Sequence, residues 1–346
     1  MKKVMKTTAS IAAALTVGGA ATYFSVTESV NDDNYAYAMF DMAMQVETNA
    51  GAVNKWNHHR TPIALDAQPA PMMNRDTLYS LAIVDATSDI TVTIPEIEDG
   101  RYVSIHVVEQ GHFNYMVGYG AGTYTIKADE TTDFVGINIR TQVDPTNPDD
   151  VASANALQDQ YILNLGDAPR VEFERQNWNL AQFMWHHKKW VAKAQERGVL
   201  GAIAAKGKID QDLLNRGAAL ATGLLPADAA IYIAGTYSLD TEQCYVATYD
   251  VPAQVDAELG FYSITIYGDD DYLHTDDYSN VNNETLRLNE DGKTFDVYYG
   301  RPSTCGDVDN LLWIPTDDIL ISFRVYLPSP ELQATGFELP TPQLVK

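Results

Sequence analysis

Two runs of short, alternating apolar segments, parted by a helical stretch, constrain this chain's fold more than any other feature of its sequence. Residues 77–85, 90–94, 102–109, 115–119, 123–127 and 134–141 each read as a strand, with turn residues such as Glu98-Asp99-Gly100 between them. The pattern returns at residues 231–236, 244–249, 262–267, 294–299 and 319–326. Helical spacing covers residues 34–48, 150–163, 177–197 and 210–222. In the third of these, Leu180, Phe183, Met184, His187, Val191 and Ala194 share a face, and Gly198 ends it. Strands do not alternate with helices, so a parallel nucleotide-binding sheet is disfavoured. The glycines within residues 118–122 precede no helix, so they fit a hairpin better than a dinucleotide loop.

These patterns predict a mostly β, α+β multidomain chain. One β-sandwich domain spans residues 34–165, a helical connector 166–228, and a second sandwich 229–346. A length of 346 residues exceeds what one core usually organises, in agreement with two domains. The formal net charge of -24 argues against phosphate-backbone binding and so against a nucleic-acid partner. Lys2, Lys3 and Lys6 precede an apolar stretch from Ala9 to about Val26, with Gly18 and Ala20 near a cleavage point, as in a secretory signal over residues 1–26. The stretch is too weakly apolar to anchor firmly, so the expected product is periplasmic or secreted, with no stable membrane span after processing. Two cysteines, Cys244 and Cys305, permit one disulfide in an exported chain, two buried free thiols being the alternative.

The densest polar cluster beside a strand is Asn74, Arg75, Asp76 and Tyr79. Arg75 has the fork to clamp a carboxylate or phosphate, Asp76 can act as acid or base, and Tyr79 can donate. The competing reading is an architectural lock in which Arg75 and Asp76 satisfy buried groups and each other. In the strand 102–109, alternation puts Val103, Ile105, Val107 and Glu109 on one face, which suggests a carboxylate at the rim of an apolar cavity shared with Arg75 or Tyr79. Arg140 and His112 complete the candidate set, with Glu109, Asp76 and His112 as catalytic groups and Asn74, Arg75, Tyr79 and Arg140 as ligand-binding ones. His106 and His112 would stand about 20 Å apart on an unbroken strand, too far for one metal ion. No metal and no organic cofactor is expected. Walker, nucleophile-elbow and HExxH motifs do not occur.

Several pieces occur together in a set order: the run from Met73 to Ser80, the block from Arg101 onward, Ile139-Arg140-Thr141, Leu157-Gln158-Asp159, the run from Phe261 to Tyr267, Cys305-Gly306-Asp307, and Phe323-Arg324-Val325-Tyr326. In this the chain resembles the tandem proteins of domain of unknown function 1254 followed by domain of unknown function 1214. The resemblance implies two sandwiches of roughly jelly-roll character joined by helices, and no established reaction. Tyr262 stands where such proteins often carry Trp. Taken together, the expected function is binding of a small organic ligand in the N-terminal sandwich, with acid–base or hydrolytic processing of it. The alternative is a non-catalytic envelope binding or assembly module.

Overall fold

In the computed structural model, which describes residues 27–68, 71–97, 100–220 and 223–345, the alternating segments pair into four sheets. The expected export signal, residues 1–26, lies outside the described residues. The N-terminal half supplies β1 (Asn57–His58), β2 (Thr77–Asp85), β3 (Ile90–Ile94), β4 (Val103–Glu109), β5 (Asn114–Tyr119), β6 (Gly122–Ile126), β7 (Phe134–Gln142) and β8 (Ile162–Asn164). They form a five-stranded sheet in the order β1-β2-β7-β4-β5 and a three-stranded sheet β6-β3-β8. One apolar core lies between the two, made from Ala82 and Val84 of β2, Ile90, Val92 and Ile94 of β3, Val103, Ile105 and Val107 of β4, and Val135, Ile137 and Ile139 of β7. The period-2 alternation read from the sequence is what aims these residues inward.

The C-terminal half adds β9 (Ala230–Ser238), β10 (Tyr245–Asp250), β11 (Tyr262–Tyr267), β12 (Asn280–Asn282), β13 (Thr294–Tyr299), β14 (Leu311–Leu312), β15 (Asp318–Tyr326) and β16 (Gln343–Leu344). Two four-stranded sheets, β14-β13-β10-β16 and β12-β11-β15-β9, enclose a second core containing Tyr249, Ile264, Phe295, Val297, Ile321 and Phe323. Cys244 and Cys305 form a disulfide that closes 61 residues of this half. The chain is thus mostly β with helices, as expected.

Six helices complete the described structure: α1 (Tyr35–Asn49), α2 (Pro148–Gln158), α3 (Leu180–Arg197), α4 (Gln211–Leu220), α5 (Pro302–Cys305) and α6 (Pro330–Thr335). Helices α5 and α6 were not expected from the sequence, and two of the others differ from the sequence reading. The helix expected to reach residue 163 stops at Gln158, because Ile162–Asn164 instead pairs with β3 as an edge strand. The helix expected from residue 177 begins at Leu180. Asn179 caps it by accepting from Gln182 N at 3.1 Å, and Trp178 just before it bridges to Glu28. Gly198 ends it at φ 76°, a left-handed conformation that glycine adopts without strain.

Helices α1, α3 and α4 pack through Tyr35, Phe183, Trp190, Leu214 and Ala218. Helix α1 lies on the outer face of the five-stranded sheet. There Gly136 lets it approach closely, since a Cβ at that position would meet Met44 Sδ at 3.1 Å. Next to it the two halves meet through Tyr102, Phe261, Tyr326, Leu225 and Ala229, with the rings of Phe261 and Tyr326 stacked 4.1 Å apart. The five-stranded sheet is therefore covered on both faces.

Candidate functional site

The strands that deliver aliphatic side chains to the N-terminal core deliver polar ones to the opposite face. Register across β2, β7, β4 and β5 lines up Tyr79, Arg140, Ser104 and Tyr119 in one row and Leu81, Asn138, His106 and Val117 in the next. In a two-layer antiparallel sheet such a face meets water. Here Tyr102, Ser104, His106 and Arg140 are at most 4% exposed. The hydroxyls of Tyr102 and Ser104, His106 Nε2, Asn138 Oδ1 and Arg140 Nη1 are buried without a hydrogen-bond partner among the described residues. Ser104 lies beside Tyr102 and Asn114 beside His106, yet neither pair reaches hydrogen-bond geometry. Native interiors leave only a few polar atoms per hundred residues unpaired, so several on one face mark a special place.

Arg140 is the centre of this face. Its Nη2 donates to the carbonyl of Gly223, and its guanidinium stands 5.8 Å from the centre of the Tyr79 ring. Burial works against its charge, but Tyr79, Tyr232, Tyr102 and Tyr326 around it favour the cation and prevail. Among the described residues no carboxylate forms an ion pair with it. Burial, with the charges of Arg140 and His112 nearby, pushes His106 down to about 3, and burial pushes His112 down to about 4. Both imidazoles are therefore neutral near pH 7. A groove of about 190 Å³, lined by Asn114, Val117, Tyr119, Pro226, Asp228, Ala229 and Leu327, adjoins the face and shares Val117 and Tyr119 with it.

The structure separates the residues that the sequence grouped. Asn74, Arg75 and Asp76 turn toward the C-terminal half. Arg75 pairs with Asp276, and Asn74 Nδ2 donates to Tyr326 Oη at 3.0 Å. Asp76 is fully buried, and its Oδ1 accepts from Asn280 at 2.7 Å and Asn282 at 3.3 Å. Burial raises its pKa, while Ser263 and the Arg324 guanidinium beside it favour the carboxylate. Arg324 in turn donates to Thr265 Oγ1, the carbonyl of Met72 and Tyr267 Oη. This set has the architecture of a lock across the two halves.

Glu109 requires a correction. It does share the Val103, Ile105 and Val107 face, is 4% exposed, and has its pKa raised by burial, with Lys206 opposing. The shared cavity with Tyr79 or Arg75 is overturned by register. Glu109 sits opposite Val135 and Tyr79 opposite Arg140, five residues further along β7. That separation is about 17 Å along the strand, and an odd offset places the two side chains on opposite faces. Glu109 Oε1 also has no hydrogen-bond partner. His112 sits in the turn between β4 and β5 at φ 67°. The hairpin folds it back close enough for its protonated form to disfavour a charge on His106, which a continuous strand would have prevented. Among the described residues no three His, Cys, Asp or Glu side chains converge as metal ligands.

Ser104, Asn138, Tyr102, Tyr119, Tyr232 and Tyr326 escaped the sequence reading as site residues. A signal existed: Tyr102, just before β4, and Ser104 and His106 within it alternate with core aliphatics, as do Asn138, Arg140 and Gln142 in β7. It reads as a solvated face until the structure shows what covers it.

Comparison with known proteins follows the same division. Residues 53–164 match the family described as "Protein of unknown function (DUF1254)". This DUF1254 region holds both N-terminal sheets, from β1 to β8, and it ends before α3. No curated protein matches the chain. The crystal structure of the VPA0106 protein from Vibrio parahaemolyticus aligns over 91% of this chain and 98% of that one, with 18% identity and a TM-score of 0.67. A putative uncharacterized protein from Burkholderia cenocepacia aligns over 91% and 88% at 15% identity, with a TM-score of 0.46. The first likeness extends the shared fold beyond the DUF1254 region into the C-terminal sheets.

Proposed function

We propose that this chain is an exported binding protein that captures a small carboxylate-bearing molecule on the buried polar face of its DUF1254 region. The observation that supports it most is Arg140, a buried guanidinium with an unpartnered Nη1 and, among the described residues, no carboxylate paired with it. Taking such a charge out of water costs several kcal/mol unless an anion and hydrogen bonds compensate. The fork of Arg140 suits a carboxylate, and the hydroxyls of Tyr102 and Ser104 with His106 Nε2 supply further polar contacts. The adjoining groove of about 190 Å³ is below the usual range for drug-sized ligands, which favours a molecule of few heavy atoms.

Capture fits this geometry better than hydrolysis. His106 and His112 are held neutral far below their ordinary range, Asp76 is engaged in the lock, and Glu109 lies on the opposite face of the sheet. The export signal over residues 1–26, a periplasmic or secreted address, and domains at 34–165 and 229–346 joined by 166–228 belong to the same proposal. The disulfide is compatible with that address, and among the described residues no helix is long and apolar enough to cross a membrane. The DUF1214 likeness of the C-terminal half rests on its own motifs.

Thermal-shift measurement of the full chain with acetate, succinate, benzoate and neutral benzamide tests the reading. A bound carboxylate raises the midpoint by mass action, and Arg140→Gln abolishes the rise. Equal responses to benzoate and benzamide, or an Arg140→Gln response like that of the unaltered chain, would refute it.

A further inference from the structure

Helix α3 is apolar on two sides. Phe183, Trp190 and Ala194 pack inward, while Trp185 is 61%, Met184 48% and Leu180 42% exposed on the outer arc. A helix with apolar residues all round is normally covered all round. In a chain with 47 acidic residues, Leu180 to Gln195 contain none, and they carry Lys188, Lys189 and Lys193. Lys189 and Lys193 run their stems over Trp185 and Trp190, with Nζ 5.6 Å and 4.3 Å from the respective ring centres, and pair with Asp32 and Asp212. Lys188 is exposed in the middle of the outer arc and forms no ion pair among the described residues.

We propose that this outer face of α3 docks on an anionic phospholipid bilayer. Trp185, Met184 and Leu180 would enter the headgroup boundary, and Lys188 would reach the phosphates. Tryptophan suits that boundary because its ring is apolar and its N–H polar. A symmetric pairing of two copies through this face would set lysines against lysines, which charge complementarity disfavours. The inference is independent of ligand capture at Arg140.

Co-sedimentation of the full chain with phosphatidylcholine vesicles, with and without phosphatidylglycerol, tests it. Phosphatidylglycerol should strengthen binding, and added salt should weaken it. Trp185→Ala should weaken binding to the anionic vesicles about tenfold. Lys188→Glu should remove the preference for phosphatidylglycerol. Both residues are exposed, so thermal midpoints should stay at the unaltered value. If Trp185→Ala fails to fold, Met184→Ser gives the same reading. Binding by both variants equal to that of the unaltered chain would overturn the proposal, because the apolar stretch at residues 9–26 would then carry it. So would indifference to phosphatidylglycerol. Self-association in solution that Trp185→Ala abolishes would overturn it in favour of a second copy.

Discussion

At the scale of single residues, His106 shows how burial converts a titratable group into a fixed neutral one. Its folded pKa is pushed to about 3, below the ordinary 6.5, first by burial and then by Arg140 and His112. Between those two values the unfolded chain binds more protons than the folded one, so stability is present above about pH 6.5 and falls as pH drops toward 3. Asp76 and Glu109, whose pKa values burial raises, act in the opposite sense and gain stability as they protonate. Comparing unaltered chain with His106→Asn cancels their contribution. Denaturant unfolding from pH 7 to pH 4 should show the variant losing less, by about 1.4 kcal/mol per pH unit at most. Identical slopes would mean that His106 is not held neutral. The sequence offered His106 only as half of a metal pair to be dismissed, and His112 also as a catalytic candidate. Their shared burial depends on what covers the sheet, which no local pattern encodes.

Among elements, the entry to β2 is where sequence and structure diverge most. Asn74, Arg75, Asp76 and Tyr79 read as one cluster, yet strand geometry sends Tyr79 to Arg140 while the preceding residues reach β11, β12 and β15. Asp76 and its partner Asn280 are 204 residues apart, a separation that periodicity cannot bridge. The strands themselves were legible to within a residue or two, because alternation against an apolar core leaves a direct trace. The short edge strands β1, β8, β12, β14 and β16 were not, since two or three residues carry no period. Replacing Asp76 by Ala would leave Arg324 and two amides facing an empty site. Breaking a buried charge network in this way costs about 3–5 kcal/mol, to be read from denaturant unfolding. A loss near zero would show that the lock is not electrostatic.

For the whole molecule, two sandwiches were visible as two runs of strands, and the likeness to the Vibrio parahaemolyticus protein spans both. Their contact was not visible, and the candidate site lies beside it: the C-terminal half and the 223–229 segment cover the outer face of the sheet and bury its polar residues around Arg140. Glu109, chosen from alternation within one strand, lies on the core face, whereas Arg140 and Tyr79 lie on the outer face that the C-terminal half covers. The central proposal is that this buried polar face takes up a carboxylate, and a crystal structure of the full chain grown with saturating benzoate tests it most directly. The account predicts a benzoate oxygen about 3 Å from Arg140 Nη1 with its ring toward Tyr102 and Tyr119. Benzoate bound elsewhere, with Arg140 touching only Gly223 and Tyr79, would contradict it.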